Sequence, residues 1–421
     1  MNEHLDDLCA YLDASPSPYH AAAATADRLV AADFTEVSEH DPWDAVPDDG
    51  YVRRGGALVA WSSAGERPGP WRMIGAHTDS PGLRVKPRPD SERSGWRQLG
   101  VEVYGGVLAN SWLDRDLGVA GHLVLADGTD RLVDVREPVA RVPQLAIHLD
   151  RNVNDGLVLD RQQHLTPVWG TGDADGSFAR TFAEWIADRA GVPGPVTWWD
   201  LCLYDVQPAA VLGADRSLLA SGRLDNQVSC WAATRALADA AGTTRPLGSL
   251  IVLNDHEEVG SASTTGASGP LLEHVVERLV VARGGDRADL LRSLAGSTCI
   301  SADNAHAVHP NYPERHDADH APMVNRGPAI KLNANQRYAT SADTAALFER
   351  ACRTAQVPWQ VFVSRNNIPC GSTIGPLTAT RLGVATADVG VPQLSMHSAR
   401  ELCGAEDPIH LARALDAYLR I

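Results

Sequence analysis

The chain has 421 residues, 44% hydrophobic and 21% charged, which is enough for two domains or one large elaborated one. Its formal net charge of −16 argues against non-specific binding to nucleic acid or to an anionic membrane, and an anionic substrate would need a local cation. Of 37 basic residues only Lys86 and Lys331 are lysine. High-GC codon usage explains most of that bias, and the two exceptions point to places where a guanidinium does not fit.

The first stretch, "MNEHLDDLCAYLDASPSP", is acidic and lacks an apolar signal core. No apolar run approaches 18 residues, so no membrane span is expected. Seven cysteines at 9, 202, 230, 299, 352, 370 and 403 form no CxxC pair, which predicts buried thiols in a reducing compartment, the cytoplasm. "YHAAAATADRLVAADF" has helical spacing, and "GGALVAW" and "WRMIGAH" are short strands. From Pro81 to Gly213 the texture changes. "QLGVEVYGG", "HLVLAD", "RLVDVRE" and "PQLAIHL" alternate between turn residues and predict a β-rich unit. "DADGSFARTFAEWIADRAG" is its one amphipathic helix, ended by glycine. After Ser221 helices and apolar strands alternate: "DNQVSCWAATRALADAAG", "GSLIVLND", "SGPLLEHVVERLV", "GSTCISAD", "SADTAALFERACRTAQ", "VATADVGV". That order predicts a mixed or parallel sheet covered by helices on both faces. Residues 304–322, rich in His, Asp and Pro, read as a long loop. The fold expected is therefore a discontinuous α/β domain, 1–80 and 214–421, interrupted by a β-rich domain over 81–213.

Acidic and histidine residues end the apolar runs. "WRMIGA" ends in His77-Thr78-Asp79, "SLIVLN" leads to Glu257 and Glu258, "STCISA" to Asp303, and "VATADVGVPQLSM" to His397. Asp225, in "GRLDN", opens a helix. Ligands of open α/β sheets bind at the carboxyl ends of the strands, and all of these are metal-ligand types. His77 and Asp79 share a face of their strand, so the Asp79 carboxylate can accept the second ring N–H of His77. Taken singly, each has an ordinary reading as a cap, a turn or a solvated charge.

With those residues in view, the chain resembles the M18 family of metallopeptidases, the aspartyl aminopeptidases. The likeness is carried by "SPSPYHAAAATADRL", "GAHTDSPGLRVKP", "GGVLANSWLDRDLGVAG", "LAIHLDRNVND", "SGRLDNQVSCWAA", "DHEEVGS", "SADNAHAVHPNYPERH", "IKLNANQRYATS", "CGSTIGP" and "QLSMHSARE". It implies two divalent metal ions, normally zinc, with cobalt or manganese as alternatives. His77 and Asp303 would bind one ion, Glu258 and His397 the other, and Asp225 would bridge them. Glu257 would be the general base acting on a metal-activated water, and Asp79 the supporting acid. The inserted domain would mediate dimerisation, in a tetrahedral homododecamer built from dimers, and His148 would reach a neighbouring subunit's active site. The implied substrates are peptides with N-terminal Asp or Glu. Lys331 is the candidate cation for that side chain, with Arg337 and Tyr338 lining the same pocket. His306, His309, His316 and His320 read as pocket lining or loop, and Lys86 as structural. Two other readings are carried forward: a related dinuclear hydrolase that prefers neutral N-termini, and an assembly protein that has lost turnover.

Overall fold

The apolar runs become strands of a nine-stranded mixed sheet in the computed structural model, which describes residues 3–63, 68–172 and 180–421. Four of its strands, Gly248–Asn254, Trp71–His77, Thr298–Ala302 and Ala385–Gly390, lie side by side in that order and run parallel. Their carboxyl ends therefore share one edge. Antiparallel neighbours flank them: Ala57–Ser62 on one side and Ala329–Leu332 on the other.

Both faces of this sheet are covered, which is why "LIVL" is apolar without interruption. Ile74, Ala76, Ile251, Leu253, Ile300 and Val389 pack with the helices Leu224–Ala240, Ala342–Ala355 and Asp407–Arg420. The alternate residues Met73, Leu250, Val252 and Cys299 pack with the helices Leu271–Ala282 and Arg287–Gly296. Burying each such side chain contributes roughly 1.5–3 kcal/mol.

A separate antiparallel sheet of six strands is built between Gly82 and Asp205. Its core is formed by Leu83, Leu99, Leu123 and Leu201 with Phe182 and Ile186 of the helix Phe182–Arg189. That helix starts in a capping box between Thr181 and Glu184. The first residues expected in it, 173–179, lie outside the described residues. Lys86 stands in this sheet, with Nζ 3.5 Å from Gln162 Oε1. A third sheet of five strands joins Ala210–Leu212, Leu218–Ser221, Glu401–Gly404, Pro392–Leu394 and Ala305–His306. Position 214, expected to begin the second part of the α/β domain, falls inside its first hairpin. Residues 307–322 run mostly as loop, as the composition suggests.

One expected strand is not formed. "PQLAIHL", residues 143–149, is irregular chain and a turn, with Leu145, Ile147 and Leu149 57%, 46% and 75% exposed. Its alternation is real, but no neighbouring strand takes its hydrogen bonds; the pairing ends in single bridges at Arg141 and Leu113. All seven cysteines are free: Cys230, Cys299, Cys352 and Cys403 are buried and the other three partly so. Among the described residues no helix is long and apolar enough to cross a membrane.

Candidate metal centre

His77 is the last residue of its strand, and Asp303 follows the next strand directly. Asp225 sits at the start of its helix in a non-helical conformation, φ −83° and ψ 105°. The strand Gly248–Asn254 ends before the acidic pair, and His256 turns the chain at φ 63° into a short 3-10 turn, Glu257–Val259. Strand alternation no longer applies there, so both glutamates face one cavity. Possible metal-binding groups are His77 with Asp225 and Asp303, His77 with Glu257 and Glu258, and Asp225 with Glu258 and His397. The first and last share Asp225.

The two histidine rings are oriented alike. His77 Nδ1 is 3.0 Å from the main-chain carbonyl of Asp79, and His397 Nδ1 is 3.0 Å from that of Gly106. Each ring donates from Nδ1 to a carbonyl, which directs Nε2 inward as the atom that a metal would take. His77 Nε2 lies 3.4 Å from Asp225 Oδ1 and 3.6 Å from Asp303 Oδ1. His397 Nε2 lies 3.7 Å from Asp225 Oδ2 and 3.4 Å from Glu258 Oε2. These separations exceed ordinary hydrogen bonds. They match ligand-to-ligand distances around a tetrahedral zinc ion, about 3.3–3.6 Å for bonds of about 2.0–2.2 Å. Asp225 Oδ1 and Glu258 Oε1 are buried without a hydrogen-bond partner, which a cation would supply. The donor set and its spacing thus fit divalent metal.

Charge points the same way. Burial, then the negative charge of Asp225, pushes the Glu258 carboxyl well above its usual range. Burial also raises Glu257 to about 8, with Asp303, Asp225 and Asp79 adding to the rise against His77. Burial opposes a charge on His77, yet Asp225, Asp303 and Asp79 hold its pKa well above the ordinary value. Without metal, protons occupy a cluster that calls for positive charge.

Asp79 stays beside His77, its carboxylate 3.4 Å from Nδ1 and its own carbonyl 3.0 Å away, and it has a further task. Its carboxylate accepts the main-chain N–H groups of Glu257 and Glu258, both at 3.0 Å, and the Tyr104 hydroxyl at 2.7 Å. It fixes the turn that presents the two glutamates. Tyr104 comes from the six-stranded sheet, and Gly105 beside it has φ 69°, at a place where a Cβ would lie 3.2 Å from Glu258 Cβ, so glycine suits the position on both counts.

A cleft of about 440 Å³ opens over these groups, lined by Glu257, Lys331, Tyr338 and His306 besides the metal-type residues. Lys331 is buried, with Nζ 3.7 Å from Asp303 Oδ2, 3.1 Å from the Asn304 carbonyl oxygen, and 5.0 Å from the Tyr338 ring centre. Arg337 is exposed and outside the lining, and His148 lies on the exposed turn of the unpaired segment. His309, His316 and His320 also stay out of the lining, and His320 pairs with Asp317 at 2.7 Å. Tyr104 and Glu401 escaped the sequence reading. Their only signals were their places in "VEVYGG" and at the end of "QLSMHSARE".

Known proteins match this chain closely. The family model described as aminopeptidase I zinc metalloprotease (M18) matches residues 11–419. A probable M18 family aminopeptidase 2 of Streptomyces coelicolor is 55% identical over 425 residues, covering 99% of this chain and 98% of its own. A chain in the cryo-EM structure of the Ape4 and Nbr1 complex superposes with a TM-score of 0.95 at 32% identity, covering 99% of this chain and 85% of its own. The mApe1 dodecamer of Saccharomyces cerevisiae gives 0.85 at 29% identity, with 99% and 96% covered. With nearly the whole length shared, the chain belongs to the M18 aminopeptidases, zinc metalloproteases acting on peptide bonds.

Proposed function

We propose that this aminopeptidase removes acidic residues, Asp or Glu, from the N-terminus of peptides with two divalent metal ions, zinc in the first instance. His77 and Asp303 hold one ion, Glu258 and His397 the other, and Asp225 stands between them. Bound there, the ions supply Lewis acidity toward the scissile carbonyl and acidify water. Glu257 takes the proton of the attacking water and returns it to the leaving amine nitrogen. Asp79, through its bonds to the Glu257 and Glu258 N–H groups, keeps base and ligand at a fixed offset.

The observation that carries the acidic preference is the single Lys or Arg among the described cleft-lining residues, Lys331, in a chain of net charge −16. Its ammonium receives the substrate's side-chain carboxylate, and Tyr338 walls the pocket. Lys331 already stands by Asp303 and donates to Asn304, which favours a second reading with neutral N-terminal residues. Peptides beginning with Asp, Glu, Leu or Ala decide between them. The acidic reading expects kcat/KM for Asp and Glu to exceed that for Leu in the wild type, and the ratio to collapse in Lys331→Met. Equal turnover of all four by the wild type overturns it.

Self-association completes the reading. The exposed Leu145, Ile147, Leu149 and Val158 support burial against other copies in a tetrahedral homododecamer built from dimers. His148 travels with that segment toward a neighbour's cleft.

A further inference from the structure

Glu401 is neither a proposed ligand nor part of the cleft over the metal-type residues, yet it is 2% exposed and its described side-chain hydrogen bonds go to Asp225, His397 and Gln393. Its Oε2 accepts the main-chain N–H of Asp225 at 2.9 Å. Its Oε1 accepts the main-chain N–H of His397 at 2.7 Å and the side-chain amide of Gln393 at 3.2 Å. One carboxylate thus ties together two chain segments that each supply a metal-type side chain.

The His397 backbone has φ 68°, in the left-handed region that a non-glycine residue keeps only where its surroundings enforce it. Ser395, two residues earlier, is also left-handed at φ 57°. The Glu401 bond to the His397 N–H closes this turn and aims the ring at Asp225 and Glu258. His77 and Asp303 are held by other means. The Cys230 thiol donates to the His77 carbonyl at 3.0 Å, and the Asp303 N–H donates to the Val389 carbonyl at 2.9 Å. No bond from Glu401 reaches either of them among the described contacts.

We infer that Glu401 is a positioning residue chiefly for the metal site formed by Asp225, Glu258 and His397: it holds two residues of that site but only the shared Asp225 of the His77–Asp303 site. The inference rests on the two-ion reading above. A carboxylate accepts both N–H groups at once. The amide of glutamine keeps one accepting oxygen and turns an NH2 toward the other, so Glu401→Gln leaves one of the two N–H groups facing a donor.

The test is zinc titration of the full-length, chelator-stripped chain by calorimetry, repeated with cobalt while its visible absorption is followed. The wild type is expected to take up two equivalents. Glu401→Gln is expected to bind one equivalent within about threefold of wild type and the other roughly 10–100-fold more weakly, with only the weakened site's cobalt spectrum altered. His397→Ala should weaken the same equivalent. Glu401→Asp, which keeps the carboxyl group on a shorter arm, should fall between. Circular dichroism of the stripped variants reports whether they fold. Unchanged affinities, or equal weakening of both equivalents, overturn the inference. So does failure of both Glu401 variants to fold, since Glu401 then serves the fold as a whole. A wild type that binds one equivalent overturns the two-ion reading itself, a result distinct from two equivalents that ignore Glu401.

Discussion

The carboxyl edge of the large sheet and the segment 143–158 are both rich in residues that the sequence marks as special, and they are built in opposite ways. At the sheet edge each side chain is backed from within the chain: His77 by Asp79, Glu257 and Glu258 by Asp79, His397 by Gly106 and Glu401. Segment 143–158 turns its apolar side chains outward, with Val158 85% exposed. An apolar row without a covering layer signals a missing contact surface, whereas a charged cluster braced by groups of its own chain signals a metal centre built within that chain.

The sharpest way to break this contrast lies within the acidic pair. Glu257→Gln should lower kcat by at least about 10²–10⁴ while zinc content stays at the wild-type value. Glu258→Gln should lose zinc, as read by elemental analysis. Equal metal content and equal residual activity in the two variants would refute the division of labour.

The exposed segment offers a second test. Leu149→Asp combined with Leu145→Asp should shift the protein to a smaller species in light scattering, with its circular dichroism unchanged. His148→Ala should lower kcat/KM while leaving metal content and particle size intact. A wild type that is monomeric would show that this surface serves something other than self-association.

A smaller effect is expected with pH. Burial raises Asp255 to about 6 and Glu257 to about 8 in the folded, metal-free chain, above the usual carboxyl range. A raised folded pKa stabilises the protein below the unfolded pKa, and that contribution is lost as pH climbs through the folded value. His77, also raised, acts in the same direction. Chelator-stripped protein should therefore melt at progressively lower temperature between about pH 5 and 8, while zinc-loaded protein should not, because the cations' charge favours the ionised carboxylates around them. A stripped protein whose melting temperature rises over that window would contradict the raised values.

Much of this edge was legible in advance, because His77, Asp303 and the acidic pair each follow an apolar run, and parallel strands bring such ends together. The separate jobs proposed for Glu257 and Glu258 came from resemblance, since spacing treats neighbours alike. Glu401 and Tyr104 were not legible, because they act through another residue's N–H or carboxylate across long stretches of chain. "PQLAIHL" misled for a different reason. Alternation reveals an apolar face but not whether the partner of that face belongs to the same chain.

The stretch Tyr104–Gly106 reaches Asp79 through a hydroxyl and His397 through a carbonyl. An engineer who excised the β-rich insertion to obtain a minimal enzyme would thus remove a brace from both halves of the centre. The smallest working unit of this aminopeptidase is larger than its ligand-bearing sheet.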